Sequence, residues 1–436
     1  MSSKTTTTAT KEDARAALLP RLRFPEFRGA EGWESIPLKY LASRSNKKNR
    51  NGAIDRVLTN SAEFGVVGQR DFFEKDIATP GKLQGYFVVE LGSYVYNPRI
   101  SSAAPVGPIS KNNIGTGVMS PLYTVFKFKD SRNEFYEHFF KTAGWHDYMR
   151  QVSSTGARHD RMAISSDDFM AMPLPVPPPA EQQKIADCLS SLDELIAAQA
   201  RKVDALKTHK KGLMQQLFPR EGETQPRLRF QQFQNAGEWC EGRLVDIATV
   251  LQGYGFPERH QGQTKGDYPF YKVSDISRSL AAGNIFIQDS ANYIDESLLK
   301  ELRAKPIPAG TTIFAKIGEA IRSKKRAITT VPSLIDNNAA GVKRVRGKAT
   351  DFFIYLLMEQ ISLIDHAGGV VPAVNKSAIE DIPVKFPTLD EQEHIASSLS
   401  SLDTLITAAT QKLETLETHK IGLMQQLFPS PEAVAA

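Results

Sequence analysis

Two segments of the chain repeat apolar residues at alternating steps of four and three. In the first segment these residues are Ile185, Leu189, Leu192, Ile196, Val203, Leu206, Leu213 and Leu217, and in the second they are Ile395, Leu399, Leu402, Ile406, Ala409, Leu413, Leu416, Leu423 and Leu427. The period is close to 3.5 residues over about five heptads, which predicts two long helices with coiled-coil seams. Prolines flank both patterns, and because proline is unfavourable inside a helix, the predicted helices cover residues 179–219 and 387–429.

The two predicted helices suit pairing with each other. Each seam alone would leave a long apolar stripe in water, whereas pairing inside one chain buries both. Gln199 and Lys210 interrupt the first seam, and Lys420 interrupts the second. We expect an antiparallel coiled coil with pseudo-twofold symmetry, in which each helix spans roughly 58 Å. The alternative is two unconnected surface helices.

The chain is a tandem duplication. Residues 181–219 and 391–429 are related by an offset of 210 and are identical at 25 of 39 positions. PRLRF at 20–24 returns at 226–230, and Trp33 and Trp239 follow at the same interval. Between these repeated ends the two halves share little. The similar repeated ends indicate one function that is carried out twice. The different segments between them indicate recognition of two different targets. The alternative is a duplication whose halves diverged without any functional demand.

The segments between the repeats mix two patterns. Strand-like alternation occurs in residues 86–97, 120–129, 268–276 and 312–318, while 134–149 and 351–365 have the spacing of amphipathic helices. Each half therefore predicts an α+β domain. The predicted organisation is a disordered tail (1–20), a first globular domain (21–178), the central helix (179–219), a linker (220–225), a second globular domain (226–386), the C-terminal helix (387–429) and a tail (430–436).

Composition predicts a soluble globular protein. Hydrophobic residues are 41% and charged residues 24% of the 436-residue chain, a balance that supports a sizeable core. No apolar run approaches the roughly 18–20 residues of a membrane helix, and the Thr-rich start lacks the apolar stretch of a secretory signal. We therefore expect a cytoplasmic protein with no membrane partner. Cys188 and Cys240 form no Cys-x-x-Cys pair, which argues against a disulfide framework or a thiolate zinc site.

The positive charge lies in the globular halves. Residues 21–178 carry 21 Lys and Arg against 16 Asp and Glu, and residues 226–386 carry 21 against 17. The helical segments differ, with 6 against 5 in residues 181–219 and 2 against 5 in residues 391–429. This distribution favours a nucleic-acid partner for both globular halves.

Motifs of nucleotide, metal and methyl-transfer chemistry are missing from the sequence. Gly347-Lys348-Ala349 lacks the spacing and the hydroxyl of a phosphate-binding loop, and Gly115-Thr116-Gly117 lacks the third glycine of a dinucleotide fingerprint. Asn97-Pro98-Arg99 departs from the Asn-Pro-Pro-Tyr of adenine methyltransferases. The eight histidines are scattered. We therefore expect no catalytic residue, no metal and no cofactor in this chain.

In the order of its motifs, the chain resembles the specificity subunits of type I restriction–modification systems. The motifs are RLRFPEF…W and its echo RLRF…W, the Pro-rich approach to EQ-x-x-IA, then LS-x-LD-x-LI and GLMQQLFP. Segments such as YVYNPRI and GARHDRMAI in the first half, and IFAKIGEAI and PAVNKSAIEDIPV in the second, also resemble that family. The resemblance covers residues 20–429, and its motifs are specific as an ordered set that is used twice.

This resemblance implies a non-catalytic subunit that reads DNA. Each globular half would be a target-recognition domain for one half of a bipartite double-stranded DNA target. The helices would set the spacer and dock two modification subunits, which methylate adenine N6 with S-adenosylmethionine. Restriction subunits that use ATP and Mg would join as translocase and nuclease. A split target needs two readers held a fixed distance apart, which two long helices can provide.

The candidate DNA contacts are side chains that suit base edges or phosphates. Arg and Lys pair with guanine, and Asn and Gln pair with adenine, while most contacts go to phosphate. In the first half the candidates are Gln69, Arg70, Asn97, Arg99, Asn112, Arg158 and Arg161. In the second half they are Lys272, Ser274, Lys316, Arg322, Lys324, Lys325, Arg326, Asn375 and Lys376.

Two other functions stay open at this point. A fused enzyme would need a nuclease or methyltransferase motif that the sequence lacks, and it would methylate DNA without a partner. A scaffold that never touches DNA would bind no DNA in a salt-sensitive way.

Overall fold

The structure is a computed structural model that describes residues 18–72, 83–154 and 160–430. The chain divides into two compact units. One contains Met1–Ile196 and Thr415–Ala436, and the other is Ala197–Glu414. Each unit therefore combines one globular half with segments of both long helices.

The first half of the chain contains short strands and helices that lead to the first long helix. The strands are β1 (Glu34–Pro37), β2 (Ala42–Arg44), β3 (Leu58–Ser61), β4 (Gly65–Gly68), β5 (Phe87–Val89), β6 (Tyr94–Tyr96), β7 (Ile109–Lys111), β8 (Gly117–Met119), β9 (Thr124–Phe128) and β10 (Pro173–Val176). The helices are α1 (Leu38–Leu41), α2 (Gln69–Phe72), α3 (Glu134–Phe139), α4 (His146–Val152), α5 (Ser166–Met170) and α6 (Pro179–Leu217).

The second half also contains short strands and helices, which lead to the second long helix. Its strands are β11 (Cys240–Arg243), β12 (Ala248–Gln252), β13 (Tyr268–Tyr271), β14 (Phe286–Ile287), β15 (Tyr293–Ile294), β16 (Thr312–Ala315), β17 (Arg326–Thr329), β18 (Leu334–Ile335), β19 (Ala339–Arg344) and β20 (Pro383–Phe386). Its helices are α7 (Leu244–Ile247), α8 (Val273–Ala281), α9 (Glu296–Glu301), α10 (Asp351–Gln360), α11 (Lys376–Glu380) and α12 (Leu389–Leu427).

Both units are built on small, mostly antiparallel sheets. The first unit has a four-stranded sheet in the order β2-β9-β6-β7, and the second has a five-stranded sheet in the order β12-β19-β16-β17-β14. In each unit a separate two-stranded ribbon closes the globular half just before the long helix, β1 with β10 in one and β11 with β20 in the other. The mixture of helices and sheets agrees with the α+β prediction.

Some element boundaries differ from the sequence prediction. The strand predicted at 268–276 ends at Tyr271, because the Asp275 carboxylate accepts the Lys272 backbone N–H at 2.8 Å and starts α8. The helix predicted at 134–149 is two helices, α3 and α4. Between them, Thr142 Oγ1 donates to the Phe139 carbonyl and accepts the Gly144 N–H, which turns the chain.

The described structure begins inside the predicted N-terminal tail (1–20). Leu18 is buried, and its backbone N–H and carbonyl both bond to Trp33. The apolar Leu18 side chain belongs to the first core, so the tail prediction is wrong at this residue. The rest of the predicted tail, residues 1–17, lies outside the described residues, as do residues 431–436.

A buried glutamate joins the globular half to the long helix in each unit. We call this contact between a glutamate, an arginine and a tryptophan a joint. In the first joint, Arg23 donates to both carboxylate oxygens of Glu181 at 2.6 Å, and the Trp33 indole N–H donates to the same carboxylate at 3.1 Å. Arg23 also donates to the carbonyls of Ala30 and Glu31, so its guanidinium is bonded on several sides. The side chains of Arg23 and Glu181 are 7% and 1% exposed.

The second joint repeats the first with the equivalent residues. Arg229 donates to both oxygens of Glu391 at 2.7 Å, and the Trp239 indole N–H donates at 3.4 Å. The repeated RLRF…W and the first glutamate of each helical segment are thus one hydrogen-bonded structure used twice. This explains why these residues stay alike while the intervening sequences differ.

Each core also takes the end of the other long helix. In the first unit, Phe428 packs against Phe135 and Phe139, with ring centroids 5.2 and 5.9 Å apart. In the second unit, Phe218 packs against Trp239 and Phe353 at 5.8 and 5.7 Å. The long helices therefore contribute to both cores and are not separate from the globular halves.

The apolar seam residues of α6 and α12 are mostly buried or half-buried within their units. In the second unit, Gln199 Nε2 donates to the Ala409 carbonyl at 2.7 Å, and Lys210 Nζ donates to Asp403 at 2.5 Å. Both contacts join the two long helices within the second unit. In the first unit, Lys420 bonds to Asp193, the equivalent pair.

We expect that Glu391→Ala destabilises the second unit by about 3–5 kcal/mol, since it leaves the buried charge of Arg229 without its carboxylate. Urea unfolding, followed by the fluorescence of the tryptophans, would measure this loss. The matched control is Glu301→Ala, which removes an exposed pair with Arg259 and should leave the midpoint unchanged. Equal midpoints for both variants would contradict the role given to the joint.

A buried histidine lies where α3 packs against the first long helix. His138 lies on α3 with its side chain 4% exposed, and its Nε2 is 3.1 Å from Ser190 Oγ. Burial, and then the nearby Lys141, lower the pKa of His138 to about 4. The ring is therefore neutral in the folded protein at neutral pH.

We expect stability to fall as the pH drops from about 6.5 towards 4, because the unfolded chain then binds a proton at His138 that the folded chain does not. The titration of His138 changes the free energy of unfolding by at most about 3 kcal/mol. His138→Gln should remove that part of the pH dependence, and His366→Gln, at an exposed histidine, should not. Unfolding midpoints at pH 7 and pH 5 for the three proteins would test this, and an unchanged pH dependence in His138→Gln would be evidence against it.

Candidate nucleic-acid interface

Lys316 lies at the centre of a polar cluster at one end of the five-stranded sheet. The four residues of β16 are buried, so Lys316 is the first side chain to leave the sheet. Its backbone N–H donates to the Asn338 carbonyl at 2.8 Å, and its carbonyl accepts the Val374 N–H at 2.9 Å. Its ammonium group donates to Gln252 Oε1 at the end of β12.

Lys272 and Asp336 complete this group, which we call the Lys316 cluster: Gln252, Lys272, Lys316, Asp336 and Asn338. Asp336 follows β18, and its carboxylate accepts the Asn338 backbone N–H at 3.2 Å. Burial raises the pKa of Asp336, and burial lowers the pKa of Lys316, although Asp336 opposes that shift. Partly desolvated groups of both signs close together are suited to binding a polar ligand surface.

Three basic side chains project from the turn that follows. A short 3-10 helix covers Glu319–Ser323, and Arg322, Lys324 and Lys325 are exposed. Arg322 pairs with Glu319 at 3.1 Å, and Lys325 donates to Ser277 Oγ at 3.1 Å. We call these three residues the Arg322 turn. Its exposed cations are suited to phosphate contacts.

The prediction for Arg326 is wrong. This residue is the first of β17, its side chain points into the protein, and it is 1% exposed. The guanidinium carbon lies 5.2 Å from the centre of the Phe314 ring, and one nitrogen donates to the Lys325 carbonyl. Burial lowers the pKa of Arg326 to about 10, so the group is charged at neutral pH but is not available to DNA.

The remaining candidates of the second unit are exposed. Asn375 caps α11, since its Oδ1 accepts the Ala378 N–H at 2.8 Å. Lys376 follows it and lies 3.5 Å from Glu380. Ser274 is in the first turn of α8. The backbone bond from Val374 to Lys316 brings Asn375 and Lys376 beside the Lys316 cluster.

In the first unit, Arg99 and Arg161 lie on two paired backbone segments. Met162 N–H donates to the Pro98 carbonyl at 2.9 Å, and Ile100 N–H donates to the Asp160 carbonyl at 3.1 Å. Arg99 is exposed, and the Arg161 side chain is 24% exposed. This pairing gives the first unit a basic edge directly after β6.

Two asparagines that were predicted to contact DNA have internal partners. Asn112 is fully buried, and its amide nitrogen donates to three backbone carbonyls, so the prediction for Asn112 is wrong. Asn97 donates to the Asn60 carbonyl and accepts the Arg99 N–H, which leaves its amide in a turn. Both use polar groups to hold loops.

The other candidates of the first unit lie apart from this edge or cannot be placed. Gln69 is half-buried and Arg70 is exposed, and both belong to α2. Arg158 lies outside the described residues. Gln252 and Asp336 were missed because Gln252 is the last residue of a strand and Asp336 follows one, positions that a strand pattern alone assigns to a turn.

Within the described ranges, no cluster of three or more His, Cys, Asp or Glu side chains could hold a metal ion. Over the same residues, no helix combines the length and the apolar character that crossing a membrane requires. Cys188 is half-buried, and Cys240 is exposed.

The model of the type I restriction modification DNA specificity domain matches residues 99–208 and 236–418. The chain belongs to this family. Both matched regions contain a globular segment and part of a long helix, so the family features occur twice.

The chain is similar in sequence to specificity subunits of type I restriction enzymes, and it shares its fold with solved structures. The MjaX type I restriction enzyme specificity subunit of Methanocaldococcus jannaschii, a putative assignment, is 24% identical over 277 residues, which is 62% of this chain and 61% of that protein. An S subunit of a type I restriction–modification system from M. genitalium has a TM-score of 0.58 at 12% identity, covering 94% of this chain and 99% of that one. A chain of another type I R-M system, from a study of complex assembly, has a TM-score of 0.52 at 13% identity, covering 92% and 98%.

If the Arg322 turn contacts phosphates, replacing Arg322 and Lys324 by Ala should weaken binding to a 30-base-pair duplex and flatten its salt dependence. The slope of log affinity against log salt should fall by about one for each lost contact. Lys412→Ala, at an exposed cation on α12, is the control and should keep the slope of the parent protein. A parental slope in the double variant would remove the Arg322 turn from the interface.

Proposed function

We propose that this chain is the DNA sequence-recognition subunit of a type I restriction–modification complex and has no catalytic site of its own. Each globular half, within the boundaries 21–178 and 226–386, reads one half of a bipartite DNA target. This proposal rests on the contrast between the two glutamate joints and the two polar edges. The polar edges are the basic edge of Arg99 and Arg161 in the first unit and the Lys316 cluster in the second. The joints are alike, whereas the edges carry different residues.

The two edges favour different DNA sequences. Arg99 and Arg161 dominate the edge of the first unit, and two lysines, a glutamine and an asparagine form that of the second. Arginine and lysine suit guanine, and glutamine and asparagine suit adenine. A protein that reads two unlike half-sites needs this combination of a repeated frame and unlike edges.

The long helices would hold the two readers at a fixed separation. The buried seam residues and the polar pairs Lys210–Asp403 and Lys420–Asp193 support an antiparallel coiled coil with pseudo-twofold symmetry. Helices 179–219 and 387–429 would then set the spacer of the target. Because their sequences are alike, they would offer two equivalent docking sites for two modification subunits.

Catalysis would come from the partners. The modification subunits would methylate adenine N6 with S-adenosylmethionine, and restriction subunits would use ATP and Mg for translocation and cleavage. The protein would work on cytoplasmic DNA. These assignments follow from the family to which the chain belongs.

Co-expression with the modification subunit of the same system, followed by genome-wide mapping of N6-methyladenine, would test the proposal. We expect methylation at a split motif with two fixed halves. Exchange of residues 226–386 for the corresponding domain of a relative should change one half of the motif and leave the other half and the spacer intact.

Three outcomes would count against the proposal. Methylation by this chain alone would make it an enzyme. No methylation with a modification subunit that binds the chain would favour a scaffold that never reads DNA. A swap that alters both halves of the motif would show that the globular halves are not independent readers.

A further inference from the structure

A tight hairpin in the second unit exposes two valines. Gly368 and Ala373 exchange two backbone hydrogen bonds, of 3.0 and 3.1 Å, and Gly369 has a positive φ of 90°. Val370 and Val371 form the tip and are 104% and 63% exposed. Val370 is the most exposed large apolar side chain among the described residues. We call residues 368–373 the valine hairpin.

The base of the valine hairpin is firmly held. Gly318 N–H donates to the Pro372 carbonyl at 2.7 Å, and Val374 N–H donates to the Lys316 carbonyl at 2.9 Å. The Val374 side chain is buried. The exposure of the tip therefore comes from a fixed backbone. Exposing apolar groups is unfavourable, so a fixed apolar tip indicates a contact surface.

Cations lie near the base of this hairpin. Lys316 is at its base, Lys376 follows it in the chain, and the Arg322 turn begins after Gly318, the residue that bonds to Pro372. Acidic groups are also close in the chain, since Glu319 pairs with Arg322, Glu380 pairs with Lys376, and Asp365 precedes the hairpin. Asp336 also lies beside Lys316, so four acids stand against the five cations Lys316, Arg322, Lys324, Lys325 and Lys376. A small apolar tip near cations fits a groove of double-stranded DNA better than a protein partner, which would need a larger apolar patch.

The first unit has the same backbone pairing with different side chains. Its Pro98–Ile100 segment pairs with 160–162 as Lys316–Gly318 pairs with 372–374. In this pairing Arg99 faces Arg161, whereas Ile317 faces Ala373. The second unit therefore has apolar residues, next to the valine tip, where the first unit has two arginines.

We infer that Val370 and Val371 enter the major groove and contact the C5-methyl groups of thymines in the half-site read by the second unit. Apolar side chains recognise thymine in this way, whereas arginine recognises guanine. This inference rests on the proposed function and adds a base preference to it. It assigns at least one thymine to the half-site of the second unit, where Ile317 and Ala373 occupy the paired positions that Arg99 and Arg161 occupy in the first unit.

Selection from random duplexes would test this inference, because it does not require a known target sequence. The complex of the full chain with its modification subunit would be presented with two 40-base-pair pools with a random central region. One pool contains thymine, and the other contains uracil, which lacks only the methyl group. Bound duplexes would be sequenced from both pools.

We expect the thymine pool to yield a bipartite motif and the uracil pool to lose preference at positions of the second half alone. Burial of one methyl group corresponds to about fourfold in affinity. The double variant Val370→Ser, Val371→Ser should give the same loss in the thymine pool. Val331→Ser is the matched control, because Val331 is also exposed and also precedes a proline, and it should leave the motif unchanged.

Two results would overturn the inference and leave the proposed function intact. One is a second half-site that is identical in the two pools, and the other is a double variant that keeps the parental motif. If the parent complex selects no motif from either pool, the proposed function itself fails.

Discussion

The carboxylates of Glu181 and Glu391 determine how each globular half meets its long helix. A charge inside a protein is unfavourable unless it is paired and hydrogen-bonded, so each glutamate requires its arginine and its tryptophan in place. The arginines and tryptophans come from the start of each half, and the glutamates come from the start of each helix. Chain segments about 150 residues apart are thereby brought together, and the sheets between them are held at a fixed point of the helix.

The parts of the protein that are alike in the two units are separate from the parts that differ. The joints, the two-stranded ribbons and the aromatic contacts of Phe218 and Phe428 recur in both units. The sheets that they enclose differ in strand number and order. Residues at the free ends of these strands, such as Lys316 and Arg99, take no part in the joints. They can therefore change without loss of the frame, which suits a protein whose task is to distinguish sequences.

The sequence predicted the long helices to within two residues, because a period sustained over 39 residues leaves little ambiguity. Individual DNA contacts were harder to predict. Asn112 and Arg326 look like surface residues in the sequence, yet one satisfies three carbonyls inside a loop and the other lies against Phe314. Sequence does not reveal whether a polar group finds its partners internally. Val370 and Val371, which we infer to contact DNA, were not among the predicted contacts, since apolar residues are ordinarily assigned to a core.

The route of the two helices has a consequence for synthesis on the ribosome. The first core includes Leu427 and Phe428, and the Leu22 N–H bonds to the Gln426 carbonyl. The first unit therefore cannot complete its core until residues 426–428 have left the ribosome. During that time the faces that contact α12 in the folded protein are uncovered, and contacts between such distant residues form slowly. Loss of Leu427 and Phe428 would remove part of a core whose other residues are synthesised several hundred residues earlier.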